Sequence, residues 1–319
     1  QLTKRRINSM SRLTISTAFA LLLGFAFGVQ AINPNAGTTG FNFLKIGVGA
    51  RASALGGAYS TVSGDVEATS WNPAGLYGIK HRSAVLSLNK YLVNSQAGFA
   101  SIAIPSINGP WAISANYVTY GKMRRTDIEG RDLGSFSASD IAIYTTFTRA
   151  FKNRRIIVGT NFKMVYSSID TYNSDAYAID LGLQLVGPVK GMRIGASLSN
   201  VGIVRSPYAG DSKDQLPVHM RVGISHTPFH MPMPMLLALD LNVPNDNDAY
   251  FSFGMEMELV SGLFIRPGYS LQQTGSTGED PLGLSAGTGI QHEQYRIDYA
   301  YSSFVDLGET HRISLTGHF

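Results

Sequence analysis

Hydrophobic and polar residues alternate with a period of two along most of this chain. Near its C-terminal end, Ile313, Leu315 and Phe319 fall on one face of such a stretch, and Arg312 falls on the other with Ser314. Because successive side chains of a β-strand point to opposite faces, the pattern predicts a strand with one apolar and one polar side. The predicted strands are 83–91, 95–105, 110–121, 134–150, 155–169, 174–186, 192–202, 216–227, 235–243, 248–259, 262–272, 281–291, 294–303 and 309–319.

The connections between these strands alternate in length. Tight turns such as 106–109, 152–154 and 187–190 alternate with longer polar stretches such as 122–133 and 203–215. Outer-membrane β-barrels have short periplasmic turns, long extracellular loops and an even number of strands. The predicted fold class is therefore all-β, a transmembrane antiparallel β-barrel of about 14 strands in the bacterial outer membrane. An even strand number also predicts that both termini are periplasmic.

A soluble, exported β-sandwich would alternate in the same way with its apolar face buried, so the period alone leaves this alternative open. The polar face favours the barrel, because it is rich in Gly and Ser rather than in the Lys and Glu of a solvated surface. The end of the chain favours it too, since Ile313, Leu315 and Phe319 resemble the signal that the barrel-insertion machinery recognises. That machinery and outer-membrane lipid are therefore expected partners.

The first 31 residues have the features of a secretory signal peptide. A basic start precedes an apolar run from Leu13 to Val29, and the small residue Ala31 follows. Met10 is the expected native start, and a retained membrane anchor is the alternative. The chain has 26 Lys and Arg against 22 Asp and Glu, and the signal holds four of the basic residues and no acid. The remainder is neutral, so nucleic acid is not an expected partner.

No enzyme chemistry is predicted, and neither a cofactor nor a metal site. The chain has no cysteine, which excludes disulfides and thiol catalysis. The G-x-S-x-G match at 283–287 lies within a predicted strand rather than at the strand-to-helix elbow that hydrolases need. His226 and His230 are separated by Pro228, which argues against a helical metal pair. We therefore expect a non-catalytic protein without catalytic residues.

Charged residues of both signs share the polar face of the predicted strands. Inside a barrel such groups need partners, because an unpaired buried charge is expensive. We therefore predict a lumen that is crossed by ion pairs and partly filled, rather than a wide open pore. The predicted charge network consists of Asp180, Arg193, Arg221, Asp240, Glu256, Glu258, Arg266, Arg296, Asp298 and Arg312.

Residues 32–81 differ in composition from the rest and are predicted to form a plug ahead of a barrel of residues 82–319. The stretch 49–58 reads GARASALGGA, Asp65 follows it, and 71–76 read WNPAGL. This combination resembles the N-terminal signature of the PorV/PorQ family, which is related to the FadL fatty-acid transporters. The resemblance implies that the segment lies inside the barrel. The candidate residues for contact with a ligand or partner are Arg51, Gly56, Gly57, Asp65, Trp71, Asn72 and Pro73.

The same candidate residues have a purely structural alternative role. The glycines would let the plug approach the wall or adopt positive φ. Arg51 would pair with Asp65 or Glu67, and Trp71 would anchor the turn that follows it.

The resemblance implies two functions. PorV/PorQ members are identified with type IX protein secretion or surface attachment, so the expected partners are secretion components or secreted cargo. The alternative is a FadL-like channel for long-chain fatty acids or other hydrophobic small molecules.

Overall fold

The computed structural model describes residue 35 and residues 37–91, 95–208, 214–272, 283–303 and 308–319. The predicted signal peptide, residues 1–31, and the expected start at Met10 lie outside the described residues.

Fourteen strands form one closed antiparallel barrel. Each strand pairs with the next one along the chain, and the first pairs with the last, so the sheet has no open edge. This closure confirms the predicted barrel of about 14 strands and excludes the sandwich. The strands are β1 (Ser83–Lys90), β2 (Gln96–Ile104), β3 (Trp111–Thr126), β4 (Asp132–Phe151), β5 (Ile156–Ile169), β6 (Tyr172–Val186), β7 (Met192–Ser206), β8 (His219–His226), β9 (Met235–Pro244), β10 (Tyr250–Val260), β11 (Leu263–Ser270), β12 (Gly283–His292), β13 (Tyr295–Ser303) and β14 (Glu309–His318).

The strands turn apolar side chains outward and polar side chains inward. On β5, Phe162 and Met164 are 53% and 61% exposed, whereas the alternate residues Asn161 and Lys163 are buried. Apolar side chains this exposed are unfavourable in water, and a continuous outer band of them is what lipid requires. The alternation read from the sequence is therefore that of a bacterial outer-membrane barrel.

Several predicted boundaries are wrong, among them the end of β7, which is Ser206 rather than 202, and two of the differences have identifiable reasons. The stretch 122–133, predicted as a loop, is mostly strand, because the ladder of β3 and β4 continues until Thr126 pairs with Asp132. This end of the hairpin is exposed on both faces, so its charged side chains hide the period of two. The next difference is at β8, which begins at His219 rather than at 216, since Pro217 has no N–H to donate to a ladder.

The segment before β1, residues 37–82, is called the lumen segment here because it contacts inward side chains of the barrel strands. Its backbone bonds to inward side chains of strands on different sides of the wall. Ala50 N donates to Ser314 Oγ of β14 over 2.8 Å, and Thr69 O accepts from Asn161 Nδ2 of β5 over 2.8 Å. Its regular elements are one short helix, α1 (Ala50–Ala54), and the 3-10 turns Asn42–Lys45, Glu67–Ser70 and Pro73–Leu76.

Within the described part of the chain, no helix is both long and apolar enough to cross a membrane.

Candidate functional site

The turn at Asn72 and Pro73 fastens the lumen segment to the wall. Asn72 Oδ1 accepts from Ala74 N at 3.0 Å and so caps the 3-10 turn, while Pro73 occupies its first position. Asn72 Nδ2 donates to Ser60 O at 2.6 Å and to Leu183 O on β6 at 3.1 Å. The fully buried Asn72 amide thus joins two parts of the segment to one strand of the barrel.

Glycines on both sides of this contact allow the close approach. A Cβ on Gly182 of β6 would lie 2.2 Å from Asn72 Oδ1. Gly56 of the lumen segment has φ +65°, and a Cβ there would lie 2.7 Å from Tyr269 N of β11. The glycine-rich polar face noted in the sequence is therefore the surface on which the lumen segment packs.

Six side chains form a closed ring of ion pairs between the lumen segment and the wall. Every contact in it joins a guanidinium nitrogen to a carboxylate oxygen over 2.6–2.9 Å. In order around the ring, the members are Arg51, Asp65, Arg296, Asp298, Arg266 and Glu256, which returns to Arg51. Three positive and three negative charges alternate, so the ring as a whole is neutral.

Two members of this ring, Arg51 and Asp65, belong to the lumen segment, and the others belong to β10, β11 and β13. Burial alone would raise the pKa of Asp65, but Arg296 and Arg51 outweigh burial and hold that pKa well below its usual range. Removing one partner of such a buried pair leaves the other charge uncompensated, which is strongly destabilising. The ring therefore holds the segment at one position in the barrel.

Glu67 lies beside the ring without joining it. Its side chain is fully buried, and neither carboxylate oxygen has a hydrogen-bond partner among the described residues. The carboxylate packs on Gly49, where a Cβ would lie 2.2 Å from Glu67 Oε2. Burial, together with the negative charges of Asp65 and Asp298, raises the pKa of Glu67 to about 7. Since the ring is already neutral, an ionised Glu67 would be surplus charge.

Three other acids of the predicted network have local partners. Asp240 of β9 accepts from Ser60 N at 2.8 Å and from Ser60 Oγ at 2.7 Å. Asp180 of β6 pairs with Lys163 Nζ at 2.7 Å, and Glu258 accepts from the backbone of the β10–β11 turn at 3.0 Å. Asp240 therefore fastens the lumen segment, and Asp180 links neighbouring strands of the wall.

The remaining members of the predicted network, Arg193, Arg221 and Arg312, form no ion pair with any described residue. The last two are only 8% and 4% exposed. Arg221 Nε and Nη1, Arg312 Nε and Arg193 Nη1 are buried and have no hydrogen-bond partner among the described residues. They differ in this respect from the predicted network, in which ion pairs cross the lumen.

Arg221 and Arg312 line a cavity of about 450 Å³ between the lumen segment and the long-loop end of the barrel. Trp71 and Gly57 of the lumen segment lie on one side of it, and Tyr250 of β10 lies on the wall. A cavity of this size is in the range that holds small molecules.

The structure decides between contacts that the sequence left open. Arg51 pairs with Asp65 and not with Glu67, and Trp71 Nε1 donates to Val48 O at 3.0 Å. The isolation of Glu67 was missed, although two acids two residues apart in an otherwise uncharged stretch were a signal for it. A link between Lys45 and Asp246 at 2.5 Å was also missed, because 201 residues separate the two.

No family model and no curated protein sequence matches this chain. Solved structures do resemble it. The Pseudomonas putida toluene transporter TodX has a TM-score of 0.61 at 12% identity, covering 86% of this chain and 99% of TodX. A second TodX structure has a TM-score of 0.57 at 14% identity, covering 85% of this chain and 96% of TodX. At these identities the likeness concerns the fold alone.

Proposed function

We propose that this protein is a non-catalytic outer-membrane channel for small hydrophobic molecules, with the lumen segment as its internal plug. The observation that carries the proposal is the cavity of about 450 Å³ bounded by that segment, in a barrel that shares the fold of a toluene transporter. In this proposal the short turns and both termini are periplasmic, and a molecule enters the cavity from the long-loop end.

Passage requires the lumen segment to move, because the ion-pair ring and the turn at Asn72 fasten this segment to the wall of the barrel. A disulfide that ties the segment to the wall tests this requirement. A Cβ on Gly287 of β12 would lie 2.5 Å from Ala54 Cβ, about 1 Å shorter than the Cβ–Cβ distance of a disulfide, so a small outward shift of the segment would allow the bond to form. The chain contains no cysteine, so an Ala54→Cys, Gly287→Cys variant would hold one disulfide only.

The assay is uptake of radiolabelled toluene by Gram-negative cells that express each variant in the outer membrane. We expect wild-type cells to take up toluene faster than cells without the protein. The oxidised double variant should lose this gain and regain it with a reductant, while the reductant should not change uptake through either single-cysteine variant. Equal uptake with and without the wild-type protein would refute the channel proposal.

The second candidate is a component of type IX secretion or surface attachment, supported by the resemblance of residues 43–76 to PorV/PorQ. Those residues pack inside the barrel, so a protein partner would have to contact another surface. The exposed end of the β3–β4 hairpin offers one, with Ile128 and Leu133 98% and 58% exposed. Stoichiometric secretion proteins that copurify from native membranes, without toluene uptake, would favour this candidate.

A further inference from the structure

Two lone guanidiniums give the cavity a positive character. Of the charged side chains that line it among the described residues, Lys45 and Asp246 neutralise each other across 2.5 Å. Arg221 of β8 and Arg312 of β14 remain, each more than nine-tenths buried and without a carboxylate partner. An unpaired buried charge is expensive, so this cavity is suited to a ligand that supplies the missing negative charge.

Arg221 has the more elaborate surroundings of the two. Its guanidinium lies over the ring of Trp71, 5.2 Å from the centroid. Its Nη2 lies 3.0 Å from His219 Nδ1, which leaves Arg221 Nε and Nη1 and His219 Nε2 without a hydrogen-bond partner among the described residues. Two nitrogen-bearing side chains and an indole thus meet at the cavity, and their free nitrogens are donors for an acidic group.

We propose that the cavity binds a small organic anion, whose acidic group is held by Arg221 and His219 and whose apolar part lies against the apolar side chains that line the cavity, Trp71 among them. This inference rests on the proposed channel function and narrows it, since a neutral hydrocarbon would supply no negative charge to either guanidinium. Arg312, on a distant strand of the barrel, adds a second positive charge and favours anions over neutral molecules throughout the cavity.

The ion-pair ring shows by contrast why the ligand belongs in this cavity. In the ring each guanidinium meets carboxylates at hydrogen-bond distance, and the charges balance within the protein. Arg221 is buried to a similar degree but has only His219 and the π face of Trp71 as close partners. A carboxylate, sulfonate or phosphate on the ligand would satisfy Arg221 as Glu256 satisfies Arg266.

Benzoate and benzyl alcohol are matched probes, because they share a ring and differ in the negative charge. The chain has two tryptophans, so a Trp111→Phe background leaves Trp71 as its sole indole fluorophore. Binding to the purified full chain in detergent is followed by the change in Trp71 fluorescence. We expect benzoate to bind about tenfold or more tightly than benzyl alcohol, as charge-assisted hydrogen bonds imply.

In the same background, Arg221→Met should abolish the preference for benzoate, and Arg221→Lys should retain part of it. Arg149→Met, which removes an exposed cation outside the cavity, should leave the preference unchanged. Heat-dependent mobility in SDS gels verifies that each variant is folded. Equal binding of the two probes to wild type, or an unchanged preference in Arg221→Met, would overturn the inference. Toluene uptake that persists alongside either result would leave the channel proposal standing, so the two failures are distinguishable.

Discussion

The buried carboxyl group of Glu67 should make the protein less stable as the pH rises from about 5 to about 8. The pKa of Glu67 is raised from 4.5 to about 7 in the folded state, chiefly by burial. Between these two values the folded protein keeps a proton that the unfolded chain releases, so the free energy of unfolding falls with increasing pH. Below this window the Glu67 carboxyl group is protonated in both states. Above it the group is ionised in both states, and the folded state then carries the full free-energy cost of the buried charge.

The size of the effect follows from the shift. Each pKa unit corresponds to about 1.4 kcal/mol, so a rise from 4.5 to about 7 amounts to about 3 kcal/mol between pH 4 and pH 8. Glu67→Gln removes the ionisation and keeps the shape of the side chain. The variant should match wild type within about 1 kcal/mol at pH 5 and exceed its stability at pH 8 by about 2–3 kcal/mol.

The measurement is denaturant unfolding of the purified barrel in detergent micelles at pH 5, 6, 7 and 8, followed by tryptophan fluorescence and approached from both the folded and the unfolded side. Glu129→Gln is the matched control, because Glu129 is an exposed loop carboxylate. It should keep the pH dependence of the wild type. A Glu67→Gln protein with the same pH slope as wild type, or with lower stability at pH 8, would refute the reasoning.

Two further substitutions test the contacts of the lumen segment by the same unfolding assay. Arg51→Met opens the ion-pair ring and should cost about 3 kcal/mol, whereas Arg131→Met breaks only exposed loop pairs and should cost less than about 1 kcal/mol. Equal losses of stability in the two variants would argue that the ring does not fasten the lumen segment to the wall. Gly182→Ala places a methyl group 2.2 Å from Asn72 Oδ1 and should cost about 2 kcal/mol, whereas Gly98→Ala, with no atom nearer than 3.9 Å, should be neutral. A neutral Gly182→Ala would mean that the wall and the segment are not in close contact.

The sequence predicted the wall of the barrel well because strand alternation is local. The alternation within each strand shows which of its side chains point inward and which point outward. Residues such as Ile313 and Leu315 could therefore be assigned to the outer face without knowledge of their neighbours in space. The prediction failed where the local pattern stops carrying that information, as in the exposed end of the β3–β4 hairpin. There, charged residues on both faces look like a loop although the backbone pairing continues.

The inner partners could not be predicted in the same way. The ring brings Arg51 together with Glu256, 205 residues away, and Asp65 with Arg296, 231 residues away. Which acid meets which base depends on the register of every intervening strand and on the path of the lumen segment between them. The sequence could name the charged residues of the polar face, but it could not pair them.

By itself, then, the sequence determined a 14-strand barrel with an apolar outer band, because a period of two is a property of each strand alone. The tertiary structure alone decided that six charges close a neutral ring, that Glu67 is excluded from it, and that Arg221 and Arg312 border a cavity with no carboxylate partner among the described residues. Those outcomes depend on distances across the lumen, and such distances exist only once the barrel has closed around its N-terminal segment.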